Sequence, residues 1–233
     1  MKISDIIIFE DVNYLIVNKP SGMSTLEDRS GEENFLDVLR VIYPGVQVCH
    51  RLDKETSGVL ICAKNKDTYK YMSALFERRK VRKVYHALVQ GAVQWKDRVV
   101  DKPILKQLNG RVRIDRRGKP SVTHCSSLVT FKNHTLMSCL PLTGRMHQIR
   151  IHLAHEGYPI CADGFYGGQP IFLSNIKRNY LRKGNKPERP LLSRVALHAL
   201  SINFSEADGK SMYFEAPYPK DFNAAINQLR RSW

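Results

Sequence analysis

Short apolar runs separated by turn residues dominate the first half of the chain. Ile6–Phe9 and Leu15–Asn18 flank Asp11-Val12-Asn13 and predict a hairpin. Lys19-Pro20-Ser21-Gly22 then breaks the second strand. Phe35, Leu36, Val38, Leu39 and Ile42 recur with helical spacing, and Tyr43-Pro44-Gly45 stops them. Val59–Cys62 is a compact apolar strand. Asp67–Arg79 predicts a helix with Met72, Leu75 and Phe76 on one face, and Val84–Val89 a strand ended by Gly91.

The second half continues the theme. Val99–Gly118 is polar and interrupted by Pro103 and Gly110. Ser121–Phe131 and Thr135–Leu140 read as paired strands across Lys132-Asn133-His134. Thr143-Gly144 turns into a helix over Arg145–Glu156, with Gly157 just past its end. Leu197–Phe204 and Met212–Ala216 form a hairpin across Asp208-Gly209, and Phe222–Leu229 is a last amphipathic helix. Hairpins outnumber alternating strand–helix units. The expected fold is α+β, a mostly antiparallel mixed sheet flanked by helices, in a single domain over residues 1–233. The one long unpatterned stretch is Gly164–Ser193, and loops of that length are often functional.

Charge changes the picture. Lys and Arg number 37 against 22 Asp and Glu, a net charge of +15. Such a field attracts polyanions. The cations cluster at Arg78–Lys83, at Arg111, Arg113, Arg116, Arg117 and Lys119, and at Lys177, Arg178, Arg182, Lys183, Lys186 and Arg189. The second cluster fills a predicted hairpin. The apolar run at Ile6–Phe9 is too short for a signal peptide or a membrane span, and the five cysteines form no Cys-x-x-Cys pair. A cytoplasmic protein with reduced thiols and no membrane contact is expected.

The candidate chemistry centres on Asp53, in a turn between His50-Arg51 and Thr56-Ser57-Gly58. A carboxylate can attack an anomeric carbon. Retaining glycosidases use two, and Asp53 has no acidic partner of comparable context. An isomerase that breaks and remakes one glycosidic bond could use a single carboxylate. Capping of the turn is the competing structural role for Asp53. His147, His152 and His155 do not make a metal site: the first two are five residues apart, about 140° round a helix, and no third ligand is evident.

The run His50-Arg51-Leu52-Asp53-x-x-Thr56-Ser57-Gly58 resembles the central motif of the RluA family of pseudouridine synthases. Asn18-Lys19-Pro20-Ser21-Gly22-Met23, Lys83-Val84-Tyr85-His86-Ala87-Leu88-Val89-Gln90-Gly91 and Thr143-Gly144-Arg145-Met146-His147-Gln148-Ile149-Arg150-Ile151-His152-Leu153 resemble three more of its segments, in the family's order. Leu197-His198-Ala199 fits a fifth. The resemblance implies the pseudouridine synthase catalytic fold, standing alone without an S4-type RNA-binding domain.

It also implies roles. Asp53 is the catalytic carboxylate, acting by attack at C1′ or by removal of a sugar proton. Tyr85 stacks on the target base and assists proton removal from C5. Arg150 pairs with the carboxylate. Arg51 reaches into the RNA where the uridine leaves its stack. His50, Lys19, Arg145 and His147 contribute to substrate binding, and Arg111, Arg113, Arg116, Arg117 and Lys119 grip the RNA backbone. No cofactor and no metal are implied, because the product is an isomer of the substrate. The expected partner is a structured RNA, an rRNA or tRNA stem-loop, bound by a monomer with no obligate protein partner. Two other readings stay open: a relative that binds RNA without activity, and a glycosidase or base-removing hydrolase.

Overall fold

The computed structural model describes residues 2–28, 31–107, 110–177, 180 and 187–231. The chain falls into two compact units: Met1–Tyr85 with His198–Pro217, and His86–Leu197 with Tyr218–Trp233. The first unit opens with strands Ile7–Glu10 (β1) and Tyr14–Lys19 (β2), helix Phe35–Arg40 (α1), strands Gln47–Val48 (β3) and Ser57–Ala63 (β4), and helix Lys66–Glu77 (α2). Strand Arg82–Gln90 (β5) carries the chain into the second unit. There follow strands Arg98–Asp101 (β6), Ile104–Lys106 (β7), Val112–Ile114 (β8), Val122–Thr130 (β9) and His134–Pro141 (β10), then helices Gln148–His155 (α3) and Leu173–Ile176 (α4). Leu197–Ser205 (β11) and Ser211–Glu215 (β12) return to the first unit, and Lys220–Arg231 (α5) ends the second. The α+β class and the mostly antiparallel mixed sheet are as expected.

In the first unit the strand order is β1-β2-β4-β11, with β3 beside β4 and β12 beside β11. Every pairing there is antiparallel except β4 with β11. β4 is buried along its whole length, as a central strand covered on both faces should be. The side-chain period of two sorts its neighbours. Leu15, Val17, Leu60 and Cys62 face Phe35, Leu36 and Leu39 of α1. Tyr14, Ile16, Val59 and Ile61 join Met72 of α2, Phe204 and Phe214 on the other side. Each such buried side chain contributes about 1.5–3 kcal/mol.

Local chemistry sets the helix ends. Asn34 Oδ1 accepts from the Asp37 N–H and starts α1, and Asn65 Oδ1 accepts from the Thr68 N–H and starts α2. The helix predicted to Ile42 stops at Arg40, leaving Val41 and Ile42 exposed. Gly58 has φ +120°, and a Cβ there would lie 2.1 Å from the Ala199 carbonyl oxygen. Only glycine lets β4 and β11 meet at this register.

In the second unit the strand order is β5-β10-β9-β6, and β7 with β8 forms a separate antiparallel hairpin. That hairpin lies inside the polar stretch Val99–Gly118, where the basic cluster predicted one. α3 begins three residues later than its sequence pattern predicts. His147 takes a left-handed conformation, φ 52°, and the Gln148 side chain accepts from the Arg145 N–H. The helix cannot continue backward through that corner. Of the unpatterned stretch, the described part contains the turn after Asp163, α4 and a bridge between Ile171 and Leu192. Arg178, Arg182, Lys183 and Lys186 lie outside the described residues.

Candidate active site

Asp53 sits at the first corner of a turn that its own carbonyl closes by accepting from the Thr56 N–H at 3.0 Å. The turn is held from three sides, all within the first unit. Thr25 Oγ1 donates to the Leu52 carbonyl at 2.8 Å and accepts from the Leu52 N–H at 3.1 Å. The Gly22 N–H donates to the Lys54 carbonyl at 2.8 Å. Lys19 enters from the end of β2, fully buried, and its Nζ donates to the carbonyls of Pro20 (2.7 Å), Thr56 (3.2 Å) and Lys54 (3.5 Å). A buried ammonium is tolerated only when such acceptors surround it. Beyond the turn, Ser57 Oγ meets His198 Nδ1 at 3.0 Å, and His198 Nε2 reaches the Ala216 carbonyl at 3.1 Å.

The residues flanking Asp53 differ in character. His50 Nε2 accepts from the Ile61 N–H at 3.1 Å, and its ring packs on Phe76. Burial pushes its imidazole down to about 3, with Lys83 adding to the effect, so it is a neutral acceptor at physiological pH. Arg51 is exposed and has no hydrogen bond or ion pair among the described residues. Tyr85 is half-buried against the α1 face of the core. Burial, and next the Asp53 carboxylate, push its phenol well above the ordinary tyrosine range. Tyr85 is therefore a neutral phenol at physiological pH.

Arg150 lies in the second unit, on the buried side of α3. Its guanidinium grips Asp163 in a two-point fork, Nε to Oδ2 at 2.7 Å and Nη2 to Oδ1 at 2.8 Å. Both side chains are buried. The Tyr166 and Phe165 rings lie 5.2 Å and 5.8 Å from the guanidinium carbon. His147 Nδ1 is 2.8 Å from the Tyr166 hydroxyl. Arg145 is partly buried, and its Nε approaches the Pro120 carbonyl at 3.4 Å. Gln148 anchors the motif: it accepts from Thr143 Oγ1 at 2.7 Å and donates to the Val122 carbonyl at 2.9 Å and Thr123 Oγ1 at 3.0 Å.

The five hairpin cations are not equivalent. Arg113 and Arg117 both bind Asp115, whose carboxyl falls well below its usual range, chiefly through the Arg117 hydrogen bonds. Arg111 lies over the Phe165 ring at 5.0 Å. Arg116 and Lys119 are exposed, with side chains unpaired among the described residues. A Cβ at Gly118 would come within 2.4 Å of the Ile104 carbonyl carbon, which fixes the hairpin's returning arm.

Comparison with known proteins decides the family. The RNA pseudouridylate synthase family matches residues 13–155. The chain belongs to that family. It is 33% identical over 99% of its length to the ribosomal large subunit pseudouridine synthase C of Vibrio vulnificus, covering 71% of that protein. It is 32% identical over 99% of its length to the protein of the same name in Escherichia coli K12, covering 72% of it. Among solved structures, human RNA pseudouridylate synthase domain containing 4 shares the fold at TM-score 0.76, with 24% identity over 98% of this chain and 94% of that one. Human RNA pseudouridylate synthase domain containing 1 gives TM-score 0.71, with 26% identity over 92% and 83%.

As a pseudouridylate synthase the chain is an RNA isomerase. Its geometry brings forward residues that the motifs alone left unread. Asp163, fully buried, is the carboxylate fork for Arg150. Thr25 and Gly22 hold the Asp53 turn. The signal for Asp163 was the Asp163-Gly164-Phe165-Tyr166-Gly167-Gly168 run, a compact aromatic and glycine-rich turn at the head of the stretch read as a loop. Nothing in the sequence marks Thr25. No helix among the described residues is long and apolar enough to cross a membrane.

Proposed function

We propose that this pseudouridylate synthase converts a uridine of large-subunit ribosomal RNA to pseudouridine with Asp53 as its catalytic carboxylate. The names of the relatives it matches at 32–36% identity support that choice of substrate. The observation that carries the catalytic reading is the Asp53 turn, fixed by Lys19, Thr25 and Gly22, with the Tyr85 phenol within electrostatic reach. Such fixing places one carboxylate in one geometry, as a near-attack arrangement requires.

The reaction breaks N1–C1′, turns the freed uracil and forms C5–C1′. The proton lost from C5 is matched by the one gained at N1, so no cofactor enters the balance. Asp53 starts the sequence at the sugar, by attack on C1′ or by taking a sugar proton. Tyr85 offers its ring to the extracted base, and flipping that base out costs a few kcal/mol that stacking offsets. Arg150 is the cation that the motif assigns to the carboxylate, and a guanidinium suits that task better than lysine. Arg51, exposed beside Asp53, enters the RNA where the uridine leaves. His50 and Lys19 sit behind the turn as supports, while Arg145 and His147 hold the entry to α3. Arg111, Arg116 and Lys119, with Arg113 and Arg117 less strongly, contact phosphates. The two units serve as one catalytic domain, acting as a monomer in the cytoplasm without a protein partner.

The test is a transcriptome-wide map of pseudouridine with and without the gene. A site in large-subunit rRNA should vanish on deletion and return with the wild-type chain. Asp53→Asn should fail to restore it; restoration by that variant refutes the mechanism. A lost site in tRNA would move the substrate, and release of free uracil would make the protein a hydrolase.

A further inference from the structure

Phe165 is out of place as a core residue. It is 57% exposed, yet it is held on a hydrogen-bonded turn of the second unit. The Tyr166 N–H donates to the Asp163 carbonyl at 3.0 Å, and the Gly168 N–H donates to the same oxygen at 2.9 Å. Gly167 takes φ +89°, and a Cβ at Gly168 would lie 1.8 Å from the Ile160 carbonyl oxygen. The turn is further pinned by Asp163, whose carboxylate is buried in its fork with Arg150. An exposed phenyl on a flexible loop would be unremarkable. One fixed by two glycines and a buried ion pair is presented to solvent in a defined orientation.

Its neighbours are cations. Arg111, at the returning arm of the basic hairpin, lies 5.0 Å from the ring centre, and Arg150 lies 5.8 Å from it. Both guanidinium carbons lie over the ring, so a nucleobase that stacks on the exposed phenyl takes the place of the Arg111 guanidinium, which then turns to the adjoining phosphate or the base's second face. We propose that Phe165 and Arg111 form a second base-stacking subsite, one that receives an unpaired nucleotide of the substrate RNA other than the uridine being modified. This rests on the RNA-modifying reading and extends it to substrate choice. Duplex RNA keeps its bases stacked and cannot fill such a subsite, so the enzyme would favour a loop, bulge or junction over a continuous helix.

The experiment uses the full chain and two RNA probes: a stem-loop with 2-aminopurine at successive loop positions, and a blunt duplex of matching length. Wild type should quench the fluorophore at one or more loop positions. Phe165→Leu keeps apolar cover over Arg150 and removes the π-face. It should lose that quenching and bind the stem-loop about tenfold more weakly, the scale of one stacked base, while duplex affinity stays unchanged. Phe165→Tyr should restore both. Equal loss of stem-loop and duplex binding would make Phe165 a structural cover, and unchanged quenching in Phe165→Leu would place the base elsewhere; either overturns the proposal. Repeating the binding in Asp53→Asn separates the two readings. Quenching that persists there supports the subsite whether or not the chain isomerises uridine, and failure of the pseudouridine map leaves the quenching result standing.

Discussion

Replacing Lys19 with methionine tests whether the Asp53 turn is held in place from below. Methionine keeps most of the stem volume and removes the ammonium. Three carbonyls lose a donor, those of Pro20, Thr56 and Lys54. Lys54 keeps its bond from the Gly22 N–H, so two carbonyls lose most. A hydrogen bond to a charged group is worth about 1.5–3 kcal/mol net. Part of that is returned, because the variant no longer buries a charge. The expected loss is about 2–4 kcal/mol. At roughly 2–4 °C per kcal/mol for a chain of this size, the thermal midpoint should fall by roughly 4–16 °C. Turnover should fall further than stability alone explains. Asp53 immediately precedes the stretch whose Lys54 and Thr56 carbonyls Lys19 holds, and a displacement of about 1 Å can cost on the order of 100-fold in rate. Single-turnover pseudouridine formation, measured well below the midpoint, should drop by about 10- to 100-fold with RNA affinity within about twofold. A Lys19→Met protein with normal turnover would refute the positioning role. One with normal turnover and weakened RNA binding would instead return Lys19 to the substrate-contacting role implied by its motif.

Two further outcomes follow from buried groups. Asp163→Asn removes the carboxylate from a buried guanidinium and should cost about 3–5 kcal/mol in a urea melt, and adding Arg150→Met should recover part of it; strictly additive losses would break the inferred pairing. His50 has a folded value of about 3 against 6.5 when unfolded. Above about pH 6.5 both states are neutral, whereas below it the unfolded chain binds a proton that the folded one does not, so stability falls as pH drops from about 6.5 toward 3. His50→Gln keeps an acceptor for the Ile61 N–H and should flatten that fall, leaving the slope due to His134 and His152, which burial also lowers; parallel curves for variant and wild type would contradict the assignment.

Most strands were legible because their signal is local. Ile16 and Val17 must face opposite sides of a sheet, and the two cores of the first unit follow from that period. Boundaries were less legible because tertiary partners set them. Arg145–His147 has the composition of a helix turn, but Gln148 spends its side chain on Thr143, Val122 and Thr123 and bends the chain at His147. The candidate site residues stand out in the sequence by their motifs, whereas Asp163 and Thr25, which hold Arg150 and the Asp53 turn, do not. Asp163 follows α3 by several residues in a stretch with no periodicity. Thr25 is one threonine among many, and its contact with Leu52 spans 27 positions. No window along the chain contains such a pair.

The motifs themselves divide by what their residues do. In His50–Gly58 the residues proposed to meet substrate are Asp53 and Arg51. His50 accepts from β4, Leu52 is core, Ser57 binds His198, and Gly58 lets Ala199 approach. Asn18–Met23 supplies Lys19 and Gly22 to the same turn, and Leu197-His198-Ala199 supplies the strand that requires Gly58. Three separated stretches of sequence are thus parts of one hydrogen-bonded mount for one carboxylate. A motif of this kind records the cost of holding an acid still more than the chemistry the acid performs. It follows that substitutions at Lys19, Thr25 and Ser57 should be coupled, each double variant losing less turnover than the sum of its singles, because any one of them already releases the turn.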